Sequence, residues 1–263
     1  MYAFTYERPA TQADALKLAQ AGGKLLAGGQ TLLASMKLRL AAPEQIVDLG
    51  AIAALKGIRR EGNAVMIGAM TRHCDVAESA ELGAAIPALA RLAGGIGDRQ
   101  VRARGTLGGS VANNDPAADY PAALLALGAT VLTDRREIAA DDFFQGLFAT
   151  ALEEGELITA VRFPIPKRAA YVKFVQPASR FALIGVFVAQ TDAGVRAAVT
   201  GGGNGVFRQG AFEQALSADF RPEAIAAIAT DAGEMSSDLH GSAEYRAHLA
   251  GVMAQRAVAQ ALA

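Results

Sequence analysis

The opening stretch alternates between helix-like and strand-like spacing. Ala15, Leu16, Leu18 and Ala19 recur at helical intervals behind Thr11, which reads as an N-cap, and Gly22-Gly23 stops that helix. Lys24 to Ala27 reads as a short strand running into Gly28-Gly29. A second helix is predicted from Leu32, Leu33, Met36, Leu38 and Leu40, with Pro43 marking its end. Gln45 to Leu49 reads as a strand. Ile58 to Gly68 predicts a hairpin turning at Glu61-Gly62-Asn63.

Further along, Cys74 to Ser79 and Ala84 to Gly94 read as helical. Pro121 to Leu127 is an apolar helix that leads into a strand from Ala129 to Thr133, and Leu157 to Phe163 is another strand. Pro164-Ile-Pro166-Lys-Arg breaks the apolar pattern and predicts a domain boundary. Beyond it lie strands at Tyr171 to Gln176, Ala182 to Gln190 and Val195 to Thr200, closed by Gly201-Gly-Gly203. From Pro222 to Ala263 the pattern predicts mostly Ala-rich helix. Hairpins mixed with helices make this an α+β chain rather than a doubly wound parallel sheet.

Composition narrows the function. Hydrophobic residues make up 52% and charged residues 19% of 263, which excludes a disordered chain. Net charge is -1, with no clustered basic surface to hold nucleic acid. One cysteine excludes an internal disulfide and any Cys-ligated zinc or iron–sulfur site built by this chain alone. With three histidines, at 73, 240 and 248, a self-contained metal site is not expected. The longest apolar run, 122–132, is shorter than the roughly 20 residues of a membrane span. The opening MYAFTYERPA carries no signal-peptide pattern, so the expected location is the cytoplasm.

The 28 glycines are an excess that needs placing. LAGGQTLL, residues 26–33, is a strand, a double glycine and a helix start, an arrangement that points backbone N–H groups at an anion. It matches neither a Walker loop nor Gly-x-Gly-x-x-Gly, and a plain tight turn is the competing reading. Thr106, Gly108, Gly109 and Ser110 form a second such loop, with Asp119 behind it as a candidate for ribose hydroxyls. The competing reading here is a turn followed by a helix start at Asp115-Pro116. Two such loops in one domain suggest a pyrophosphate gripped from two sides, as in a dinucleotide.

LAGGQTLLASMKLRL and RARGTLGGSVANNDPAADYPAALLALGA resemble the two FAD loops of the medium subunit of molybdenum hydroxylases, the carbon monoxide, aldehyde and xanthine dehydrogenase type. KFVQPASRFALIGVFVA and DLHGSAEYRAHLA resemble the start and tail helix of that family's C-terminal domain. The resemblance implies a two-lobed FAD-binding domain of the vanillyl-alcohol oxidase / PCMH type over residues 1–167, with lobes of about 1–52 and 53–167. A smaller α/β domain, 168–263, follows it. By position it implies pyrophosphate contacts from Ala27, Gly28, Gly29, Gln30 and Thr31, and from Thr106, Gly108, Gly109 and Ser110. Asp119 falls to a ribose or neighbouring hydroxyl. Ile96, Ile158 and Lys173 match further FAD-contacting positions, Lys173 as a cation near the flavin.

The family binds FAD noncovalently, so His73-Cys74 is read as structural, with Cys74 a buried small apolar residue. His240, Gly201-Gly-Gly203 and Tyr6-Glu7-Arg8 are likewise read as structural or surface residues. The function implied is electron transfer without catalytic residues of the chain's own. Partners would be a large molybdopterin subunit and a small subunit with 2Fe–2S clusters, in a dimer of heterotrimers. FAD would pass electrons to NAD, a quinone or oxygen. Two alternatives are a self-sufficient flavin oxidoreductase of the same superfamily and a non-catalytic nucleotide-binding scaffold.

Overall fold

The computed structural model describes residues 1–263. The chain opens with β1 (Thr5–Glu7), α1 (Gln12–Gln20), β2 (Lys24–Leu26), α2 (Leu32–Lys37) and β3 (Gln45–Asp48). β3 lies between β1 and β2 and is parallel to both. Thr11 caps α1 by accepting a hydrogen bond from the Asp14 N–H. Tyr6 is more than a surface residue, because its hydroxyl donates to Asp48 across β1 and β3.

The second helix is shorter than its apolar spacing predicts. It ends at Lys37, and Arg39 sits in the left-handed region at φ 61°. The Leu40 N–H donates to the Ser35 carbonyl and the Arg39 N–H to that of Met36, which is a Schellman closure. Met36 is buried there, but Leu38 and Leu40 point to solvent.

β4 (Ile58–Glu61) and β5 (Ala64–Gly68) form the expected hairpin, with Gly62 at φ 59°. Four short helices follow: α3 (His73–Glu78), α4 (Ala80–Ala85), α5 (Pro87–Gly94) and α6 (Arg99–Arg102). The stretch expected as one helix from Ala84 is split at Ile86, because a residue before proline is driven out of helical geometry. The second glycine loop runs into a helix, α7 (Leu107–Asn113), capped by Thr106.

α8 (Tyr120–Leu127) is buried on every side. After it come β6 (Thr130–Thr133), β7 (Glu137–Ala139), α9 (Ala140–Phe143), β8 (Phe144–Gly146), β9 (Ala149–Thr150) and β10 (Ile158–Pro164). β10 completes an antiparallel sheet of order β4-β5-β10-β6-β7, with Val161 opposite Ile67 and Val131.

The last sheet holds β11 (Arg168–Val175), β12 (Ala182–Thr191), β13 (Gly194–Thr200) and β14 (Phe207–Arg208) in sequential order. Its central strands are covered on both faces, which explains their unbroken apolar runs. Phe187, Ala189 and Ala198 join the main core around α5, α8 and β10. Ile184, Val186, Val188 and Val199 pack instead against α10 (Gly210–Ala218) and α11 (Ala243–Leu262).

The tail differs from the expected run of helix. Between α10 and α11 only 3-10 turns form, at Pro222–Ile225 and Ala232–Glu234. Pro222, Gly233 and Gly241 interrupt the alanines, and the Asp231 and Asp238 carboxylates accept nearby backbone N–H groups that a helix would need.

Candidate functional site

Sequence-distant segments converge on one cavity of about 710 Å³. Ala27, Gly28, Gly29, Gln30 and Thr31 border it from one side, and Thr106, Gly108, Gly109 and Ser110 from another. Ile96, Asp119 and Ile158 also border it. Lys173 does not.

The first loop leaves β2 and enters α2. Gly29 takes φ 74°, which favours glycine, and the N–H groups of residues 28–31 have no hydrogen-bond acceptor within the protein. Consecutive free donors facing a cavity are what a pyrophosphate requires. The Gln30 amide reaches back to the Gly28 carbonyl at 3.4 Å. Thr31 stands at the N-cap position of α2, but its hydroxyl makes no capping bond.

The second loop works differently from a simple set of glycine donors. The Gly108 N–H donates to the Ala69 carbonyl at 2.8 Å, and the Gly109 N–H to the Thr106 hydroxyl at 3.1 Å. The Ser110 N–H donates to the Thr106 carbonyl. Here the glycines permit close approach instead. A Cβ on Gly108 would lie 2.8 Å from the Ala69 carbonyl oxygen, and one on Gly109 would lie 3.1 Å from the Ala27 Cβ. The loops also meet directly: a Cβ on Gly28 would overlap the Arg104 carbonyl.

Asp119 is 4% exposed and stands at the N-cap position of α8, although its carboxylate makes no capping bond. It accepts a hydrogen bond from the Tyr171 hydroxyl at 2.6 Å and pairs with the Lys173 ammonium at 2.9 Å. Burial raises its carboxyl above the ordinary carboxylate value, while Lys173 and Tyr171 pull it down. Lys173 also donates to the Gly95 and Arg180 carbonyls, so its cation is turned into the protein framework rather than into the cavity.

His73 also borders the cavity and is 5% exposed. Burial, with Arg102 nearby, lowers it from 6.5 to about 4, so it is neutral at pH 7. Its ring backs the second loop: a Cβ on Gly105 would sit 2.6 Å from Nε2, and the His73 N–H donates to the Gly105 carbonyl. Nothing in the sequence spacing marked this role, since a lone His at a helix start has no diagnostic pattern.

Cys74 is half-buried rather than buried, and its thiol contacts the Asp75 carboxylate at 3.5 Å. Burial raises that thiol, which disfavours a reactive thiolate. His240 is exposed, with Nδ1 3.3 Å from the Gln176 amide. Gly201 takes φ 82° at the end of β13, and its N–H donates to the Pro116 carbonyl. No group of three or more His, Cys, Asp and Glu could hold a metal ion. No helix is long and apolar enough to cross a membrane.

These features define an α+β protein with a cavity bordered by two glycine loops, one of them carrying free N–H donors. Residues 2–166 match the family model described as the FAD binding domain in molybdopterin dehydrogenase. Over 97% of its length the chain is 38% identical to the carbon monoxide dehydrogenase medium chain of Hydrogenophaga pseudoflava, covering 96% of that protein. It is 36% identical to the nicotine 6-hydroxylase medium subunit of Paenarthrobacter nicotinovorans, over 98% of this chain and 97% of that one. Among solved structures, reconstituted CO dehydrogenase from Oligotropha carboxidovorans superposes with a TM-score of 0.92 at 37% identity, covering 99% of each chain.

The chain therefore belongs to the FAD-binding medium subunits of the molybdenum hydroxylase family, with the PCMH-type fold. It is an oxidoreductase subunit.

Proposed function

We propose that this chain is the electron-transfer subunit of a molybdenum hydroxylase, holding FAD noncovalently. The observation that carries the reading is the row of acceptor-free N–H groups at residues 28–31, facing a second loop across a 710 Å³ cavity. Bound there, FAD would store electron pairs between one-electron 2Fe–2S donors on a small subunit and an acceptor such as NAD, a quinone or oxygen.

The protein's own part is binding and orientation. The acceptor-free N–H groups of residues 28–31 would donate to the pyrophosphate, and Thr106 to Ser110 would supply a close-packed opposing wall. Ile96 and Ile158 offer apolar contact, and the neutral His73 adds no charge to the cavity. Residues 1–167 would form the FAD-binding domain and 168–263 the C-terminal domain. Substrate oxidation would belong to a large molybdopterin subunit, in a dimer of heterotrimers in the cytoplasm.

The test is the purified chain. It should be yellow, and acid or heat precipitation should release FAD into the supernatant. Flavin left in the pellet would mean a covalent link, and FMN would remove the need for a pyrophosphate grip. Turnover of an organic substrate by the chain alone, at roughly 1 per second or faster, would instead mark a self-sufficient flavoenzyme.

A further inference from the structure

The two walls of the cavity differ in what they leave free. On the first, the N–H groups of residues 28–31 have no acceptor within the protein. On the second, the N–H groups of Gly105, Leu107, Gly108, Gly109 and Ser110 all bond inside the protein, to Val101, Thr71, Ala69 and Thr106. Between Gly105 and Ser110 only the Thr106 N–H stays free. An anion held by charge-assisted hydrogen bonds from both walls needs a further donor on the second.

His73 stands at that wall, and both it and Gly105 border the cavity. Its Nε2 packs against Gly105, where a Cβ would come within 2.6 Å of it. A Cβ on Gly28 would in turn lie 2.7 Å from the Gly105 Cα, so a single backbone separates the imidazole from the first loop. The Nδ1 atom is enclosed and has no hydrogen-bond partner. The same is true of the Tyr120 hydroxyl, whose ring centroid is 5.4 Å from that of His73. Nε2 has no partner within the protein either, but it is not sealed off.

An apolar side chain of this size would fill the site without burying an unpaired nitrogen, which costs free energy. The retained polarity of the ring therefore points to Nε2. A neutral imidazole has one donor and one acceptor nitrogen. Buried donors without an acceptor are rarer than buried acceptors without a donor, which puts the proton on Nε2. Burial and the nearby Arg102 cation keep the ring neutral at pH 7, so it offers a dipole and not a charge.

We propose that His73 is a further cofactor-binding residue, whose Nε2–H donates a hydrogen bond to a pyrophosphate oxygen from the side of the second loop. This rests on the FAD-binding reading given above.

The experiment titrates the full chain, stripped of flavin, with FAD and with ADP, and compares wild type with His73→Leu and His73→Gln. Leucine removes both the donor and the orphaned Nδ1, and glutamine keeps an N–H donor. His73→Leu should unfold in urea no earlier than wild type, yet bind FAD and ADP roughly tenfold more weakly. His73→Gln should stay within about threefold of wild type for both ligands. Nitrogen NMR of histidine-labelled wild type should show the Nε2–H tautomer for His73, with a signal that shifts when ADP is added. Wild-type affinity for both ligands in His73→Leu overturns the proposal. So does a loss confined to FAD, which would put the imidazole at the flavin end, or an Nε2 signal that ADP leaves unmoved. Equal losses in the two variants, or early unfolding of both, would make the ring a packing element and overturn it too. Wild type that binds neither FAD nor ADP would overturn the nucleotide-binding reading itself.

Discussion

Asp119 and Lys173 are joined by an ion pair of 2.9 Å, with both side chains less than a tenth exposed. The ammonium holds two further acceptors, the Gly95 carbonyl at 3.0 Å and the Arg180 carbonyl at 2.8 Å. Asp119 borders the cavity itself, and the other two acceptors each precede a residue that does, Ile96 and Phe181. One cation thus fixes three parts of the cavity wall from β11.

Lys173→Met should lower stability by about 3–5 kcal/mol at neutral pH, because Asp119 is left buried without its partner. The carboxyl, already raised by burial, then rises further. A folded value above the unfolded one means that stability is lost as pH rises through it. The deficit against wild type should therefore be smaller at pH 5 than at pH 8 in urea denaturation. Combining Asp119→Leu with Lys173→Met should cost less than the sum of the single changes. Strict additivity would show that the pair is not coupled.

Gly28→Val should abolish FAD binding while leaving most secondary structure intact by circular dichroism. Its Cβ would overlap the Arg104 backbone, which is part of a turn and has no flexible end to move aside. Overpacking of this kind costs roughly 1–3 kcal/mol. Gly109→Val should act similarly through Ala27 and Thr106. Wild-type flavin content in both variants would reduce the two loops to ordinary turns.

Acid should destabilise the protein in two steps. His73 is depressed from 6.5 to about 4, so as pH falls through that interval the unfolded chain takes up a proton that the folded one resists. That removes about 3 kcal/mol. Glu156 accepts from Arg136, Thr133 and the Glu153 N–H, and is held at about 2 instead of 4.5. Its contribution is full above 4.5 and fades toward 2. His73→Asn should flatten the upper step of the pH profile, and Glu156→Gln the lower. An unchanged upper step in His73→Asn would assign it to another group.

Arg246 should prove essential to the last sheet. A buried residue in the first turn of α11, it donates to the Leu183 and Gly201 carbonyls at 2.8 and 2.7 Å and pairs with Asp238 at 2.7 Å. Arg246→Met leaves both carbonyls without that donor, at about 2–4 kcal/mol in total. Hydrogen exchange should quicken in α11 and β12 before it does in β5 and β10. Uniform acceleration across the chain would contradict this.

The sequence exposed the frame of the molecule where a local cause was sufficient. Thr11 has its capping partner three residues on, Gly62-Asn63 turns a hairpin, and both glycine loops came from composition and order alone. Long-range causes stayed hidden. The end of α2 is set by a left-handed Arg39 that no propensity predicts, and helix α10 was missed among alanines. At the site, Lys173 and His73 stand where no sequence pattern placed them. The lysine turns toward carbonyls from two distant segments, and the histidine becomes part of the cavity wall. Neither choice is encoded in neighbouring residues.

The seam at Gly28 and Arg104 also bears on how such proteins can be recombined. The proposed cofactor grip would be a single part assembled from two stretches far apart in the gene, and at Gly28 and Arg104 each shapes the space left for the other. A chimaera whose crossover falls between residues 29 and 104 joins half a grip from each parent. It inherits a working one only if the first parent supplies glycine at position 28 and the second brings a backbone that follows the path of Arg104.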